Sequence, residues 1–195
     1  MDFNTDYSQK TDEELVALTL EDQRVFAHII DRYQSKLSRY IRRISGLSND
    51  DIEDVLQDVF IKVYNNLNAF DPRLKFSSWI YRIAHNSVIS NFRKTKSRPQ
   101  SITFEGDDQF LENITSGFDL EKEVDLKSDK KIIISIISSL DQKYKEVLEL
   151  KFLEEKDYQE ISDILKKPIG TIGTLINRAK KKFRRELEKK NIILK

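Results

Sequence analysis

The chain has 195 residues, and its 34 Lys and Arg nearly balance its 33 Asp and Glu, so affinity for an anionic partner requires an uneven distribution of charge. It contains no cysteine, which excludes disulfides, thiolate metal sites and a cysteine nucleophile. No basic start precedes an apolar run, and the longest apolar run, at 132–137, is too short to cross a bilayer. We therefore expect a soluble, cytoplasmic protein.

Helical periodicity dominates the sequence. Five Gly, three Pro and no alternating strand pattern predict an all-α fold. Four helices are predicted in the first block, residues 11–98. The first begins with a capping box formed by Thr11 and Glu14, and the second ends near Gly46.

The third predicted helix, from about Asp51 to Asn68, has an apolar face and an acidic row. The row consists of Asp51, Asp54 and Asp58. It could be the divalent-metal site of a nuclease, a solvated face, or a docking surface for a basic partner. Neither histidine stands at a metal-ligand spacing from the row, so we favour the solvated face over the metal site.

The fourth predicted helix carries a basic cluster interleaved with aromatic residues. No acidic residue lies between Arg82 and Arg98. Exposed aromatic rings beside cationic side chains commonly hold single-stranded nucleic acid. Alternatively the rings belong to the core. We expect a core position for Phe92, and the sequence leaves Trp79 and Tyr81 open.

Residues 99–128 separate this block from the rest of the chain. They lack a sustained apolar period and contain eight acidic residues against two lysines. This composition predicts an acidic, flexible linker. The predicted architecture is therefore two small helical domains, at 11–98 and 129–195.

The second block is predicted to form helices at about 130–140, 142–153, 158–165 and 172–190. Asp157 with Glu160 predicts a second capping box. Pro168 to Gly170 predicts the turn before the last helix, with Thr171 as its N-cap. Two short helices around such a turn predict a helix-turn-helix.

The last predicted helix is apolar on one side and basic on the other. Its apolar face contains Ile172, Ile176, Ala179 and Phe183, and its polar face contains Asn177, Lys181 and Arg184. Eleven Lys or Arg against two Glu lie between residues 166 and 195. A phosphate-binding loop is excluded, because no strand precedes the glycines and no Lys-Ser/Thr follows them. Gly173 is expected in the first helical turn, with its amide open to a phosphate.

Taken in order, these segments resemble an extracytoplasmic-function sigma factor of the sigma-70 family, over about residues 25–98 and 130–187. "DIEDVLQDVFIKVYNNL" resembles the segment of the second domain that binds the clamp helices of the largest subunit of core RNA polymerase. "FSSWIYRIAHNSVISNFRKTKSR" is similar to the part that opens and reads the −10 element of promoter DNA. "LDQKYKEVLELKFLEEKDYQEISDILKKPIGTIGTLINRAKKKF" resembles the fourth domain, which reads the −35 element and meets the flap of the second-largest subunit.

The resemblance implies a role for each matching position. The residues implied in polymerase binding are Asp51, Asp54, Gln57 and Asp58. The residues implied at the −10 element are Trp79, Arg82, Asn86, Arg93 and Lys94. The residues implied at the −35 element are Thr171, Gly173, Thr174, Asn177, Arg178, Lys181 and Arg184. The resemblance further implies a non-enzymatic initiation factor without metal or cofactor, and an anti-sigma protein as a partner.

Two alternatives stay open at this point. An ordinary helix-turn-helix regulator would bind palindromic duplex DNA without polymerase. A metal nuclease would need the acidic row as ligands. Within the resemblance, six residues depart from the family pattern. Ser90 stands where an aspartate is usual, and Ser162 replaces a small apolar residue. Lys166 and Lys167 stand where a glycine and an apolar residue are common, and Gly173 and Leu175 stand where basic residues are often found.

Overall fold

The computed structural model describes residues 7–94, 135–137 and 139–189, and only the backbone of 92–94. Every regular element in these ranges is helical, which confirms the predicted all-α fold. The chain divides into two compact units, 1–99 and 100–195. The acidic linker predicted at 99–128 lies outside the described residues, and the predicted domain boundaries stay predictions.

The first unit contains four α-helices. They are α1 (Asp12–Glu21), α2 (Phe26–Ser45), α3 (Asn49–Asn65) and α4 (Phe76–Lys94), with 3₁₀ turns at Gln23–Val25 and Leu67–Ala69. The capping box of Thr11 and Glu14 is present at the start of α1. Gly46 ends α2 with a φ of 64°, a left-handed conformation that suits a glycine.

Acidic side chains of α1 anchor both α2 and α4. The Glu13 carboxylate accepts a hydrogen bond from the Phe76 N–H at 2.9 Å, at the first residue of α4. A carboxylate there satisfies an otherwise unpaired N–H and lies at the positive end of the helix dipole. Asp12 pairs with Arg32 at 2.7 Å and accepts from the Tyr33 hydroxyl. Burial, together with this carboxylate, raises the pKa of Tyr33.

Aromatic side chains fill the core of the first unit. The Trp79 ring packs 5.4 Å from Phe70 and 5.7 Å from Phe76, measured between ring centroids, and is 8% exposed. Tyr81 is 2% exposed and packs 5.1 Å from Tyr40. The two rings that the sequence left open are therefore core residues, and neither is available as an exposed stacking platform.

The described part of the second unit contains three longer helical elements. They are α5 (Gln142–Leu148), α6 (Tyr158–Leu165) and α7 (Ile169–Lys189), and a π-helical segment (Glu149–Leu153) continues α5. Residues 135–137 are also helical, and most of the helix predicted at 130–140 lies outside the described residues. The capping box of Asp157 and Glu160 is present at the start of α6.

The turn between α6 and α7 lies earlier than the sequence predicts. Lys166, not Gly170, is the left-handed residue, with a φ of 53°. The Pro168 carbonyl accepts from the N–H groups of Thr171 and Ile172, so α7 already begins at Ile169. The prediction of a Pro168–Gly170 turn is therefore wrong, as is the N-cap assigned to Thr171.

The position of Gly173 changes with the helix start. It is the fifth residue of α7, beyond the first turn whose N–H groups lack helical partners. The expectation that its amide is open to a phosphate is therefore wrong. A Cβ added at Gly173 would lie 3.7 Å from Cε2 of Tyr158, an ordinary van der Waals distance, so an alanine fits there.

Charged side chains are buried in α5 and the π-helical segment. Lys145, Glu146 and Glu149 are all less than 9% exposed. Burial lowers the pKa of Lys145, and the charge of Glu149 opposes this shift. Burial also raises the pKa of Glu146, against the opposing effects of a hydrogen bond with Gln142 and the charge of Lys167. Charged groups are thus retained in the interior of the second unit.

We expect Glu146→Gln to raise the thermal unfolding midpoint of the second unit at pH 7. The folded-state pKa of Glu146 is above its ordinary value, so the ionised carboxylate destabilises the folded state at neutral pH. The gain should shrink as the pH falls through the folded-state pKa, because the wild-type carboxyl then becomes neutral. Calorimetry at pH 7 and at acid pH checks this, and an unchanged or lower midpoint at pH 7 would contradict it.

Candidate docking and nucleic-acid interfaces

The acidic row of α3 is presented on the surface of the first unit. Asp51, Asp54, Gln57 and Asp58 are all exposed. The opposite face packs into the core through Ile52, Val55, Leu56, Val59, Phe60 and Val63. Asp51 also has a local function, because its carboxylate accepts from the hydroxyl of Ser48, the N-cap of α3. Asp54, Gln57 and Asp58 are the members that can serve a partner without disturbing this cap.

The exposed face of α3 includes an apolar residue that the sequence analysis missed. Ile61 is 58% exposed and follows Gln57 by four residues, so it extends the same face. Tyr64, 37% exposed, packs 5.1 Å from Phe26. Ile61 could have been found from the sequence, because it lies outside the apolar period of α3.

A groove of about 510 Å³ next to α3 is lined by Gln34, Ser35, Ser38, Arg39, Glu53, Leu56 and Gln57.

The acidic row of α3 is not part of a cluster of potential metal ligands among the described residues. Among residues 7–94, 135–137 and 139–189, no group of three or more His or acidic side chains is arranged to hold a metal ion. The three aspartates lie along one helix.

The outward stripe of α4 is polar and basic. Asn86 is exposed and Arg82 is half-buried, one helical turn apart. Arg93 and Lys94 lie in the last turn of α4, and only their backbone is described. Arg93 follows Arg82 by eleven residues, about three turns, so the register places it on the same stripe.

The loop that leads into α4 contains a local ion pair between Asp71 and Arg73. Asp71 accepts from the Arg73 backbone N–H at 3.0 Å and from its guanidinium at 2.7 Å. These hydrogen bonds lower the pKa of Asp71 to about 2. Leu74 in this loop is 43% exposed. The loop therefore presents Arg73, paired with Asp71, and an exposed apolar side chain beside α4.

The apolar face of α7 packs against the second unit as predicted. Its buried residues are Ile172, Ile176, Ala179, Phe183 and Leu187. The polar members of the predicted interface, namely Thr171, Thr174, Asn177, Arg178, Lys181 and Arg184, are all exposed, and Gly173 is half-buried. The Thr174 hydroxyl donates to the Gly170 carbonyl at 2.9 Å.

Two of the lysines in α7 are used for packing. Lys180 lies 5.4 Å from the ring centroid of Phe152. Lys182 lies 4.7 Å from that of Tyr144 and pairs with Asp141 at 2.9 Å. These contacts lie on the two flanks of α7, since successive residues are about 100° apart around a helix.

A four-residue stripe lies opposite the buried face of α7. Helical periodicity places Thr174, Arg178, Lys181 and Arg185 there, and all four are exposed. Arg185 is a candidate that the sequence analysis missed, although its spacing of seven from Arg178 and four from Lys181 would have found it. This stripe is the strongest basic feature that α7 offers to a phosphate backbone.

No helix within the described ranges combines the length and apolarity needed to cross a membrane.

Comparison with known proteins assigns a family to both units. The Sigma-70 region 2 model matches residues 29–98, and the Sigma-70, region 4 model matches residues 130–183. The ECF RNA polymerase sigma factor SigW of Bacillus subtilis is 34% identical over 85% of this chain and 90% of its own length. The ECF RNA polymerase sigma-E factor of Haemophilus influenzae is 29% identical over 92% of this chain and 97% of its own.

Solved structures show the same fold at lower identity. CnrH, in complex with the cytosolic domain of CnrY, gives a TM-score of 0.66 at 22% identity and covers 92% of this chain and 98% of its own. The sigma factor RpoE of Bartonella quintana, in complex with the anti-sigma factor NepR, gives a TM-score of 0.63 at 19% identity. The match covers 84% of this chain and 96% of RpoE. The two region matches in this order, with SigW matched over most of both chains, show that the chain belongs to the extracytoplasmic-function sigma factors of the sigma-70 family, the promoter-directing class of transcription initiation factors.

Proposed function

We propose that the chain binds core RNA polymerase through α3 and directs it to promoters that α4 and α7 recognise. The observation that carries this proposal is the pairing, in one chain, of an exposed acidic row in the first unit with an exposed basic helix in a second unit. An ordinary helix-turn-helix regulator would have no need for the first surface. Because the proposed partner is RNA polymerase, we place the protein in the cytoplasm.

The docking surface consists of Asp51, Asp54, Gln57, Asp58 and Ile61 on α3. Its proposed partner is the pair of clamp helices of the largest polymerase subunit. Acidic rim residues steer association with a basic partner and suppress wrong orientations. Ile61, 58% exposed, would add an apolar contact at the C-terminal end of this row.

The proposed −10 interface is the outward stripe of α4 with the loop before it. Arg82, Arg93 and Lys94 would neutralise phosphates, and Asn86 would hydrogen-bond an unpaired base. Trp79 is buried, so its proposed contribution is to pack Phe70 and Phe76 beneath this surface. Asp71 and Arg73 are hydrogen-bonded to each other in the loop from which a base could be contacted.

The proposed −35 interface is α7, which would enter the major groove as the second helix of a helix-turn-helix. Asparagine commonly pairs with adenine, and arginine or lysine with guanine. Asn177, Arg178 and Lys181 are therefore the proposed base readers. Thr171, Thr174, Arg184 and Arg185 would position the helix on the phosphates, with Gly173 near the backbone. The second unit would also meet the flap of the second-largest subunit.

Reconstituted transcription tests this function. Core polymerase with this chain should start transcripts at discrete positions on a genomic DNA library, whereas core polymerase alone should not. The chain alone should bind duplex DNA weakly. Two results together would favour an ordinary helix-turn-helix regulator instead. They are tight binding of the chain to a palindromic duplex without polymerase, and the same transcription by core polymerase with and without the chain.

An anti-sigma factor is proposed as a further partner. The neighbouring RpoE structure contains the anti-sigma factor NepR, and CnrH is bound to the cytosolic domain of CnrY. Purification of the tagged chain from its native cell tests this proposal. Polymerase subunits in the eluate would support the docking assignment. A second protein bound in place of polymerase would support an anti-sigma factor as partner.

Gly173→Ala separates helix stability from DNA recognition. Alanine fits 3.7 Å from Tyr158 and should stabilise α7 by about 0.5–1 kcal/mol. If Gly173 allows the helix backbone to approach DNA, the added methyl group should nevertheless reduce promoter-dependent transcription severalfold. Calorimetry and run-off transcription on the same preparation check the two effects. Gly170→Ala is the matched control, since its Cβ would meet nothing within 4 Å in the free protein.

A further inference from the structure

The chain leaves α6 through a left-handed residue that is not a glycine. Lys166 has φ 53° and ψ 46°. In this conformation a Cβ crowds the following carbonyl oxygen, so glycine or asparagine is usual at such a position. Within the described ranges, Glu155 is the only other non-glycine residue with a positive φ. The turn between α6 and α7 therefore needs contacts that hold Lys166 in place.

Ser162 supplies these contacts from two of its atoms. Its carbonyl accepts from the Lys166 N–H, and also from the Lys167 N–H at 3.2 Å. Its hydroxyl Oγ donates to the Lys167 carbonyl at 2.6 Å. Both backbone polar groups of Lys167 are thus bound to one serine, which closes a ring of hydrogen bonds around Lys166.

This arrangement is a polar version of a common helix ending. The Lys167 N–H bonds the Ser162 carbonyl as in the Schellman ending, and the Lys166 N–H bonds the same carbonyl as in the simpler αL ending. In the usual form an apolar contact frequently joins the residues that correspond to Ser162 and Lys167. Here both residues are polar, and a side-chain hydrogen bond takes the place of that contact. Ser162, Lys166 and Lys167 therefore form one hydrogen-bonded unit at the end of α6.

The serine bond also reaches the start of α7. Lys167 lies two residues before Ile169, where α7 begins. Pro168 stands between them, and its ring fixes its own φ while its carbonyl accepts the first hydrogen bond of α7. Few rotatable bonds thus separate the anchored Lys167 carbonyl from the helix, so its orientation constrains the direction in which α7 leaves the turn.

We propose that Ser162 is a positioning residue for DNA recognition: its hydroxyl holds the left-handed Lys166 turn, and with it the angle at which α7 meets the major groove. The proposal rests on the proposed function, in which α7 reads promoter DNA. It predicts that Ser162 matters because residue 166 carries a side chain. The requirement should therefore relax when residue 166 becomes glycine.

A double-mutant cycle on the full chain tests this coupling. The variants are Ser162→Ala, Lys166→Gly and the pair, with Lys166→Ala as a control that removes the same charge but keeps the Cβ. The probe is a duplex selected from a random-sequence pool by wild-type chain with core polymerase, compared with a scrambled duplex. Affinities of the reconstituted holoenzyme are measured well below the unfolding midpoint of every variant.

Ser162→Ala should lower the preference for the selected duplex about fivefold, the effect of losing one typical hydrogen bond. With Gly at 166, Ser162→Ala should lower this preference by less than about twofold. With Ala at 166, Ser162→Ala should lower the preference by the full amount of about fivefold. Ser162→Thr, which keeps the hydroxyl, should restore most of the preference. An unchanged preference in Ser162→Ala, or the same loss with Gly at 166, would overturn the proposal. If the wild-type holoenzyme selects no sequence from the pool, the proposed function itself fails. This outcome is known before any variant is measured, so the two failures are distinguishable.

Discussion

Phe183→Ala is expected to unfold a large fraction of the second unit while the first unit stays folded. Phe183 is fully buried on the apolar face of α7, and its truncation should cost about 3–5 kcal/mol. Small domains have a free energy of unfolding of only about 5–15 kcal/mol. Because the second unit is short, we expect its free energy of unfolding to lie near the lower limit. The residues of α7 proposed to read DNA would then lose their common scaffold.

Calorimetry of the full chain should show the transition of the second unit moved to lower temperature, with the transition of the first unit unchanged. Binding to core polymerase through α3 should persist, and −35-dependent transcription should be lost. Phe183→Leu keeps most of the apolar volume and should cost only about 1 kcal/mol. A Phe183→Ala variant with a wild-type unfolding profile would show that this core position carries little of the stability.

The amphipathic helices could be predicted from the sequence because their periodicity is strong and local. In α3 the apolar and acidic residues separate with the helical period except at Ile61, and the structure buries the periodic apolar set and exposes the acidic one. The capping boxes at Thr11 and Asp157 were equally readable, since a Glu three residues later completes each one. These features need no knowledge of the tertiary fold.

The helix-turn-helix turn could not be located in this way. Sequence reasoning assigned the turn to Gly170, because glycine is the residue that usually adopts unusual backbone angles. The structure instead has Lys166 in the left-handed conformation, beside a hydrogen bond from the Ser162 hydroxyl to the Lys167 carbonyl. A hydrogen bond from a side-chain hydroxyl to a backbone carbonyl five residues later leaves no periodic pattern in the sequence.

Aromatic and basic residues were ambiguous for a different reason. Whether Trp79 stacks on a base or packs in the core depends on Phe70 and Phe76, whose arrangement follows from the tertiary fold. Likewise Lys180 and Lys182 belong to the basic run by sequence, yet each lies over an aromatic ring of its own unit. Counting charges along a segment therefore overestimates the number available to DNA.

The double charge reversal Asp54→Lys, Asp58→Lys is expected to weaken binding to core polymerase about 10- to 100-fold, which corresponds to about 1.4–2.7 kcal/mol. If these exposed carboxylates face a basic partner, each lysine removes an attraction and adds a repulsion. The fold should tolerate the change, since lysine is a good helix former at exposed positions. The loss should diminish at high salt, because rim charges are screened.

Glu21→Lys with Asp31→Lys is the matched control. Both residues are exposed in α1 and α2 of the same unit, and the pair changes the net charge by the same amount away from α3. Polymerase affinity of both variants, measured by titration of labelled chain, separates a local docking surface from a general effect of charge. Equal losses in the two variants, or wild-type affinity in the α3 variant, would remove α3 as the docking element. A selective loss in the α3 variant with an unchanged unfolding midpoint would identify its acidic row as the surface that polymerase contacts.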